Sequence, residues 1–333
     1  MASSVFHLAP LPNPPVPLPR VPGPKLAPFT PNARANIEFV EFLGEKNNVD
    51  SQVWKVKIKG AGQPRLFALK TFYFCHSNFL RKNQGGDLKR PLANSQLYAD
   101  YFDPFNCECR AYGRLKEAKR EDLAAKAYGY LLLTPEQEAD LARKVTGEST
   151  PPPDAKADKA LNGHDFWRRQ EEHRGLPVWA IVKEPVPRGA LNPNIAQCIW
   201  ADLKSLHSLG IFVGETHGGN YLGGKLVDFS RSWTMYHPAM VQIRNNIRQG
   251  MMSEELQDLL DHCYSLKSSL RAIAIPDDLE AFCSGHLDEY KGLPWAYNWL
   301  KWEKNADAAK AFVEERLFER AAHCYRGATV DFL

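Results

Sequence analysis

The segment LGIFVGETHGGNYLGGKLVDFSRSW, residues 209–233, combines two short apolar runs with several polar side chains. The run IFV predicts a strand that ends in the polar loop GETHGGN, which contains Glu215 and Asn220. The paired glycines of LGGKL predict a tight turn, and KLVDF predicts a second strand that ends at Asp228. The two predicted strands thus end near three polar residues, Glu215, Asn220 and Asp228. This segment is therefore the first candidate for a functional site.

The whole chain has the composition of an ordinary globular protein. It contains 333 residues, of which 44% are hydrophobic and 24% charged, enough for one large domain or two lobes. The net charge of +3 is too small to indicate a nucleic-acid or membrane partner, and no apolar run predicts a transmembrane helix. The N-terminus lacks the pattern of a signal peptide, and the seven scattered cysteines favour reduced thiols. We therefore expect an intracellular protein.

The N-terminus is rich in proline. Ten of the first 31 residues are proline, a composition that favours extended polyproline II structure. It predicts a disordered tail over residues 1–35. The alternative is a docking ligand for proline-binding modules.

Strands dominate the part of the chain that follows. The runs NIEFVEFLG, SQVWKVKIKG, RLFALKTFYF, AKAYGYLLL and PVWAIVKEPVP predict five strands. The segment DPFNCECRAYGRLKEA predicts a helix with Asp103 as N-cap and Pro104 at its first position. The polar segments at about 76–102 and 134–176 are predicted to be insertions, the first as a loop.

The remainder of the chain is predicted to be largely helical. The segment IAQCIWADLKSLHSL has apolar residues at helical spacing and ends at Gly210, and helical patterns continue from about Met240. This separation of strands from helices predicts an α+β fold with two packed lobes, residues 36–187 and 188–333. A cleft between two lobes is a favoured place for a ligand.

Several polar residues lie in apolar surroundings. Lys70 is inside an apolar strand, Glu108 is on the inward face of a predicted helix, and Asp228 ends a strand. A buried charge needs a partner, so these residues are candidates for a site. The alternative is that Lys70 and Glu108 form a structural ion pair and that Asp228 caps a turn.

In this order, the motifs resemble those of the protein-kinase fold. FALK resembles the strand lysine motif, so Lys70 would hold the α- and β-phosphates and Glu108 would pair with it. GETHGGN has the spacing of the catalytic loop, which implies that Glu215 orients the acceptor hydroxyl and Asn220 binds metal. DFS matches the first two positions of D-F-G, which implies that Asp228 is the principal Mg²⁺ ligand.

The same resemblance implies a nucleotide site. IVKEPV resembles the hinge, with Lys183 as gatekeeper and with the Glu184 carbonyl and the Val186 amide reaching adenine. Gly44 is what remains of the glycine-rich loop. The resemblance spans roughly residues 36 to 235. It implies ATP and Mg²⁺ in an interlobe cleft, an N-lobe of antiparallel sheet plus one helix, and a reduced, mainly helical C-lobe.

Three departures from the kinase pattern leave the activity open. Only eight positions separate Asn220 from Asp228, as in small-molecule or atypical kinases, and no A-P-E motif follows. Glu215 is one methylene longer than aspartate, and His217 is an alternative base. The candidates are therefore a weak or atypical phosphotransferase, a pseudokinase scaffold, and a small-molecule phosphotransferase of the antibiotic or choline kinase type.

A closer resemblance covers most of the chain between Val40 and His237. DPFNCECRAYGRLKEA, YGYLLL and NYLGGKLVDFSRSWT are similar to a group of filamentous-fungal kinase-like proteins labelled as the Fta-type kinetochore subunit of the Sim complex. This resemblance implies kinetochore or centromere proteins as partners. It also implies a location in the nucleus, at the kinetochore.

Overall fold

The fold is described here from a computed structural model of the chain. It describes residues 18–30, 36–44, 48, 50–59, 63–86, 88–146, 165–173, 175–187, 195–243, 245–270, 274–284, 292–312 and 317–318. The five predicted strands all form. They are β1 (Asn36–Phe42), β2 (Ser51–Lys59), β3 (Arg65–Phe72), β4 (Ala127–Leu132) and β5 (Trp179–Lys183).

The five strands make one antiparallel sheet in the order β1-β2-β3-β5-β4. Strand β3 is therefore central, and Lys70 is opposite Val53 on β2 and Ile181 on β5. Five of the last six side chains of β3 are apolar or β-branched and all six are buried, which suits a strand with neighbours on both sides. The register places the ammonium of Lys70 in the interior rather than at an edge.

Among the described residues, four helices accompany the sheet: α1 (Ser77–Asn83), α2 (Ser95–Phe102), α3 (Pro104–Glu117) and α4 (Pro135–Thr146). The start of α3 confirms the predicted cap, because Asp103 Oδ1 accepts from the Phe105 amide at 3.0 Å and Pro104 occupies the first turn. The loop predicted at about 76–102 is wrong in part, since α1 and α2 form there. These helices bury the side chains of Leu80 and Leu97, respectively.

The C-terminal part is helical, as predicted. Its helices are α5 (Ile195–Ser208), α6 (Pro238–Gln242), α7 (Asn245–Leu270), α8 (Asp277–Cys283) and α9 (Ala306–Ala311). One continuous apolar core extends from the sheet through α3 to α5 and α7. No helix within the described ranges has the length and apolar character needed to cross a bilayer.

The segment 209–233 folds into two small antiparallel pairs. Strand β6 (Ile211–Phe212) pairs with β9 (Trp233–Thr234), and β7 (Tyr221–Leu222) pairs with β8 (Lys225–Leu226). Gly223 and Gly224 have φ values of 55° and 85°, in the left-handed region that favours glycine, which confirms the predicted tight turn. The turn brings Asp228 back toward the sheet.

The N-terminal strap, residues 18–30, departs from the predicted disordered tail. Its Leu26 amide donates to the Cys109 carbonyl at 2.8 Å, and its Phe29 amide donates to the Tyr130 carbonyl at 2.7 Å. Four of its apolar side chains are buried: Leu18, Val21, Leu26 and Phe29. Composition alone predicted a tail because proline-rich segments rarely bury apolar area, but this one lies against a preformed surface. Residues 1–17 and 31–35 of the predicted tail lie outside the described residues.

A buried imidazole links α6 to the C-terminal end of α2. His237 is fully buried; its Nδ1 accepts from the Ala239 amide at 3.2 Å, and its Nε2 donates to the Tyr101 carbonyl at 3.0 Å. These partners need the neutral ring with its proton on Nε2. Burial, and then the Arg110 guanidinium, lower the pKa of His237 well below its usual value.

We expect this histidine to make the protein less stable in acid. The unfolded chain binds a proton at His237 below about pH 6.5, while the folded chain does not. The contribution of His237 to the free energy of unfolding is therefore fully present above that pH and declines below it. The contribution is at most about 1.4 kcal/mol per pH unit. His237→Asn keeps a cap acceptor without a titrating group. Urea unfolding between pH 7.5 and 5 should give the variant a flatter profile, and parallel profiles would contradict the assignment.

Candidate functional site

The candidate site is centred on an ion pair between the central strand and α3. The ammonium of Lys70 contacts a carboxylate oxygen of Glu108, and the two residues are 1% and 0% exposed. The same ammonium is 2.7 Å from Asp228 Oδ2. The structure therefore brings together the three charged residues that the sequence singled out in apolar surroundings.

A second lysine takes part in this cluster. The ammonium of Lys183, on β5, contacts the other carboxylate oxygen of Glu108 and donates to the Val227 carbonyl at 3.0 Å. It also lies 5.0 Å from the ring centroid of Tyr112 on α3, where a cation is attracted to the aromatic face. Glu108 is thus held between two lysines from neighbouring strands.

We call Lys70, Glu108, Lys183 and Asp228 the charge network. Its two ammonium and two carboxylate groups have formal charges that sum to zero. Burial would raise the pKa of Asp228, but the ammonium groups of Lys70 and then Lys183 lower it well below its usual value. Burial would likewise lower the pKa of Lys70, but Asp228 and then Glu108 raise it. The charges of Lys70 and Asp228 are thus stabilised by the opposite charges of the network.

Both oxygens of Asp228 are engaged within the protein. Lys70 occupies Oδ2, while the amide and hydroxyl of Ser230 donate to Oδ1 at 2.7 and 2.6 Å. A carboxylate has about four lone-pair sites, and these three donors occupy most of those of Asp228. Nowhere in the described ranges do three or more His, Cys, Asp or Glu side chains form a group that could hold a metal ion. The roles of Asp228 and Asn220 as Mg²⁺ ligands stay predictions.

The polar loop before β7 is held by its own contacts. Asn220 is buried, and its Nδ2 donates to the Glu215 carbonyl at 3.1 Å. The Glu215 side chain is 47% exposed, with Arg231 Nε 3.9 Å and His217 Nε2 4.0 Å from its carboxylate oxygens. The carboxylate of Glu215 is therefore accessible, while the amide of Asn220 serves the loop.

Arg231 connects this loop to the sheet. Its Nη2 is 2.6 Å from Oδ2 of Asp50, which immediately precedes β2. Because Arg231 follows the Asp228 turn, the pair ties the segment after Asp228 to the start of the second strand. Sequence reasoning missed this contact, since an arginine in a polar segment gives no signal of its partner.

The residues predicted to contact adenine and the phosphates follow the ends of two strands, Gly44 after β1 and Glu184 and Val186 after β5. The Glu184 carboxylate accepts from the Lys126 amide at 3.0 Å and from Lys225 Nζ at 2.7 Å, which joins the end of β5 to the β7–β8 turn. Val186 is partly buried. Gly44 donates its amide to a β2 carbonyl at 3.2 Å, and residues 45–47 and 49 lie outside the described residues. The roles of Glu184, Val186 and Gly44 stay predictions.

The contact of Lys183 with Glu108 was also not predicted. Its signal was present, because Lys183 ends the apolar strand WAIVK just as Lys70 lies inside an apolar strand. A buried lysine requires an acid, but the sequence does not say which acid.

Comparison with known families gives one match. Residues 14–233 match the family model described as "Kinetochore Sim4 complex subunit FTA2", which is about two thirds of the chain. The matched range contains the N-terminal strap, the whole sheet, α3 and the charge network. No curated protein matches the chain.

We expect Lys183→Met to destabilise the fold by about 3–5 kcal/mol, because it leaves the buried carboxylates of Glu108 and Asp228 with one ammonium between them. Lys204→Met is the matched control, since Lys204 is 40% exposed in its pair with Asp278 and should cost no more than about 1 kcal/mol. Urea unfolding measures both values. Equal losses in the two variants would show that the charge network does not stabilise the fold.

Proposed function

The chain belongs to the family of kinetochore Sim4 complex subunits named FTA2, and we propose that it acts as a scaffold subunit of a kinetochore complex. In this proposal the chain has a kinase-like fold but does not transfer phosphate. Its partners are other kinetochore or centromere proteins, and its location is the nucleus.

The observation that carries the scaffold role is the internal satisfaction of the charge network. Both carboxylate oxygens of Glu108 contact lysine ammonium groups. Those of Asp228 contact Lys70 and Ser230. Catalysis requires groups whose interactions are stronger with the reacting molecule than with the resting protein. The contacts of Lys183 with Glu108 and of Lys70 with Asp228 go beyond the pair that the kinase resemblance implies, and they occupy these groups within the protein, as suits a scaffold.

The topology supports the kinase-like part of the proposal. The sheet order β1-β2-β3-β5-β4, with α3 between β3 and β4 in the chain, puts Lys70 and Glu108 in contact as the kinase resemblance implies. The polar loop, the tight turn and Asp228 then follow in the same order. Two lobes with a cleft between them are the arrangement that we propose for this fold.

Binding of ATP and Mg²⁺ is the second candidate function. The proximity of Lys70, Glu108 and Asp228 favours it, because an ATP site needs a positioned lysine and a metal-binding acid. Against it, the ammonium of Lys70 already contacts the carboxylate of Asp228, the group that would bind the metal. The extra methylene of Glu215 also weakens its fit as a general base, since a misplacement of about 1 Å can cost about a hundredfold in rate.

The scaffold role predicts that Glu215→Gln leaves centromere association unchanged. Glu215 is outside the charge network and half exposed, so the variant removes a carboxylate without unbalancing the core. The measurement is chromatin immunoprecipitation of the tagged full chain at centromeric DNA in cells of the source organism. Wild type and Glu215→Gln should be equally enriched.

Lys183→Met serves as the negative control, because loss of the fold should abolish the enrichment. Absence of the wild-type chain from centromeres would overturn the kinetochore role. Loss of enrichment in a stably folded Glu215→Gln variant would favour a catalytic role instead.

A further inference from the structure

The N-terminal strap lies in a groove that two glycines keep open. A Cβ atom on Gly113, in α3, would be 2.5 Å from the backbone of Lys25, and one on Gly129, in β4, would be 2.5 Å from the Phe29 nitrogen. Real Cβ atoms do not approach backbone so closely. Both positions therefore accommodate the strap only because they have no side chain.

The groove offers backbone hydrogen bonds as well as space. Strand β4 is at one end of the sheet, and its free edge pairs with the strap: Phe29 donates to the Tyr130 carbonyl at 2.7 Å and Tyr130 donates to the Ala27 carbonyl at 3.1 Å. This is the geometry of a peptide added to a sheet edge. Pro28 lies between Ala27 and Phe29, where no amide donor is needed.

Side chains of the strap pack into two of the apolar clusters of the fold. Leu26 and Phe29 pack into the main core, where the Phe29 and Phe67 rings meet edge to face at 5.6 Å. Val21 packs into the second cluster, which includes Leu80 and Tyr101. The strap thus covers the outer side of α3 and joins α3 to its neighbours.

The strap is attached to α3 directly beside the charge network. The Leu26 amide donates to the carbonyl of Cys109, the residue that follows Glu108. Nearly every side chain of α3 from Pro104 to Leu115 is buried, although the helix carries Arg110 and Arg114. Such complete burial requires cover on the outer face as well as the inner one.

One strap residue, Lys25, has a buried amine that donates to the Val21 carbonyl. The Lys25 amine lies near Arg110, Glu303, Asp100 and Arg114, and burial and then the Arg110 guanidinium lower its pKa to about 7. The contacts of the strap must therefore outweigh the cost of burying this amine.

We propose that the groove between α3 and the β4 edge is a docking site for an extended peptide segment, which residues 18–30 fill in cis, and that docking holds α3 where Glu108 meets Lys70 and Lys183. Release of the strap then loosens the charge network. The occupant is recognised by its extended backbone, by amide donors at the positions of Leu26 and Phe29, and by apolar side chains such as those of Val21 and Leu26.

The test uses the full chain with Gly113→Ala and Gly129→Ala. Gly250→Ala is the matched control, because a Cβ at Gly250, in α7, would meet nothing within 4 Å. Hydrogen exchange at the Leu26 and Phe29 amides reports docking, and acylation of Lys70 by a small amine-directed reagent, measured by mass spectrometry, reports the network. Both should accelerate by about tenfold or more in Gly113→Ala and Gly129→Ala, as overpacking predicts, and neither should change in Gly250→Ala.

Leu279→Ala separates this effect from general destabilisation, because Leu279 is buried in α8 and belongs to neither the groove nor the network. At matched global stability, Lys70 acylation should be faster in Gly113→Ala than in Leu279→Ala. Equal acylation, or faster strap exchange without faster acylation, would overturn the coupling. Strap exchange that accelerates on dilution of the wild type would show docking from a second copy and would overturn docking in cis.

Discussion

The carboxylate of Glu108, shared between Lys70 and Lys183, is the interaction on which the rest of the structure depends. It joins α3 to β3 and β5. Lys70 also contacts Asp228, and Lys183 also donates to the Val227 carbonyl. A buried ion without its partner costs several kcal/mol, so each member holds its place only while the others hold theirs. The sheet, the helix and the segment around Asp228 therefore form one cooperative unit.

Much of the fold could be predicted from local sequence. The apolar runs predicted the five strands, and Asp103 followed by Pro104 predicted the start of α3, because caps and periodicity act within a few residues. The contact of Lys70 with Glu108 could be anticipated because each is an ionisable residue on an otherwise buried face. The partner of Lys183 could not, because the chain offers many acids and only tertiary packing selects one.

The N-terminal strap shows where composition fails. A proline-rich segment predicts disorder when it has only itself to pack against, and residues 18–30 instead use space left by Gly113 and Gly129. A glycine inside a helix costs about 1 kcal/mol relative to alanine, so Gly113 was a signal of close packing. The segment that packs there is about 90 residues away in the chain, and the sequence around Gly113 does not indicate which segment it is.

The central claim, that the charge network is structural in a kinetochore-family subunit, is tested most directly by thermal unfolding of the full chain alone, with Mg²⁺, and with millimolar ATP plus Mg²⁺. We expect the same unfolding temperature in all three, because Lys70 and Asp228 already satisfy each other. A bound ligand at 100 times its dissociation constant would add about 2.7 kcal/mol. A metal-dependent rise that disappears in Asp228→Asn would contradict the account and assign a working nucleotide site.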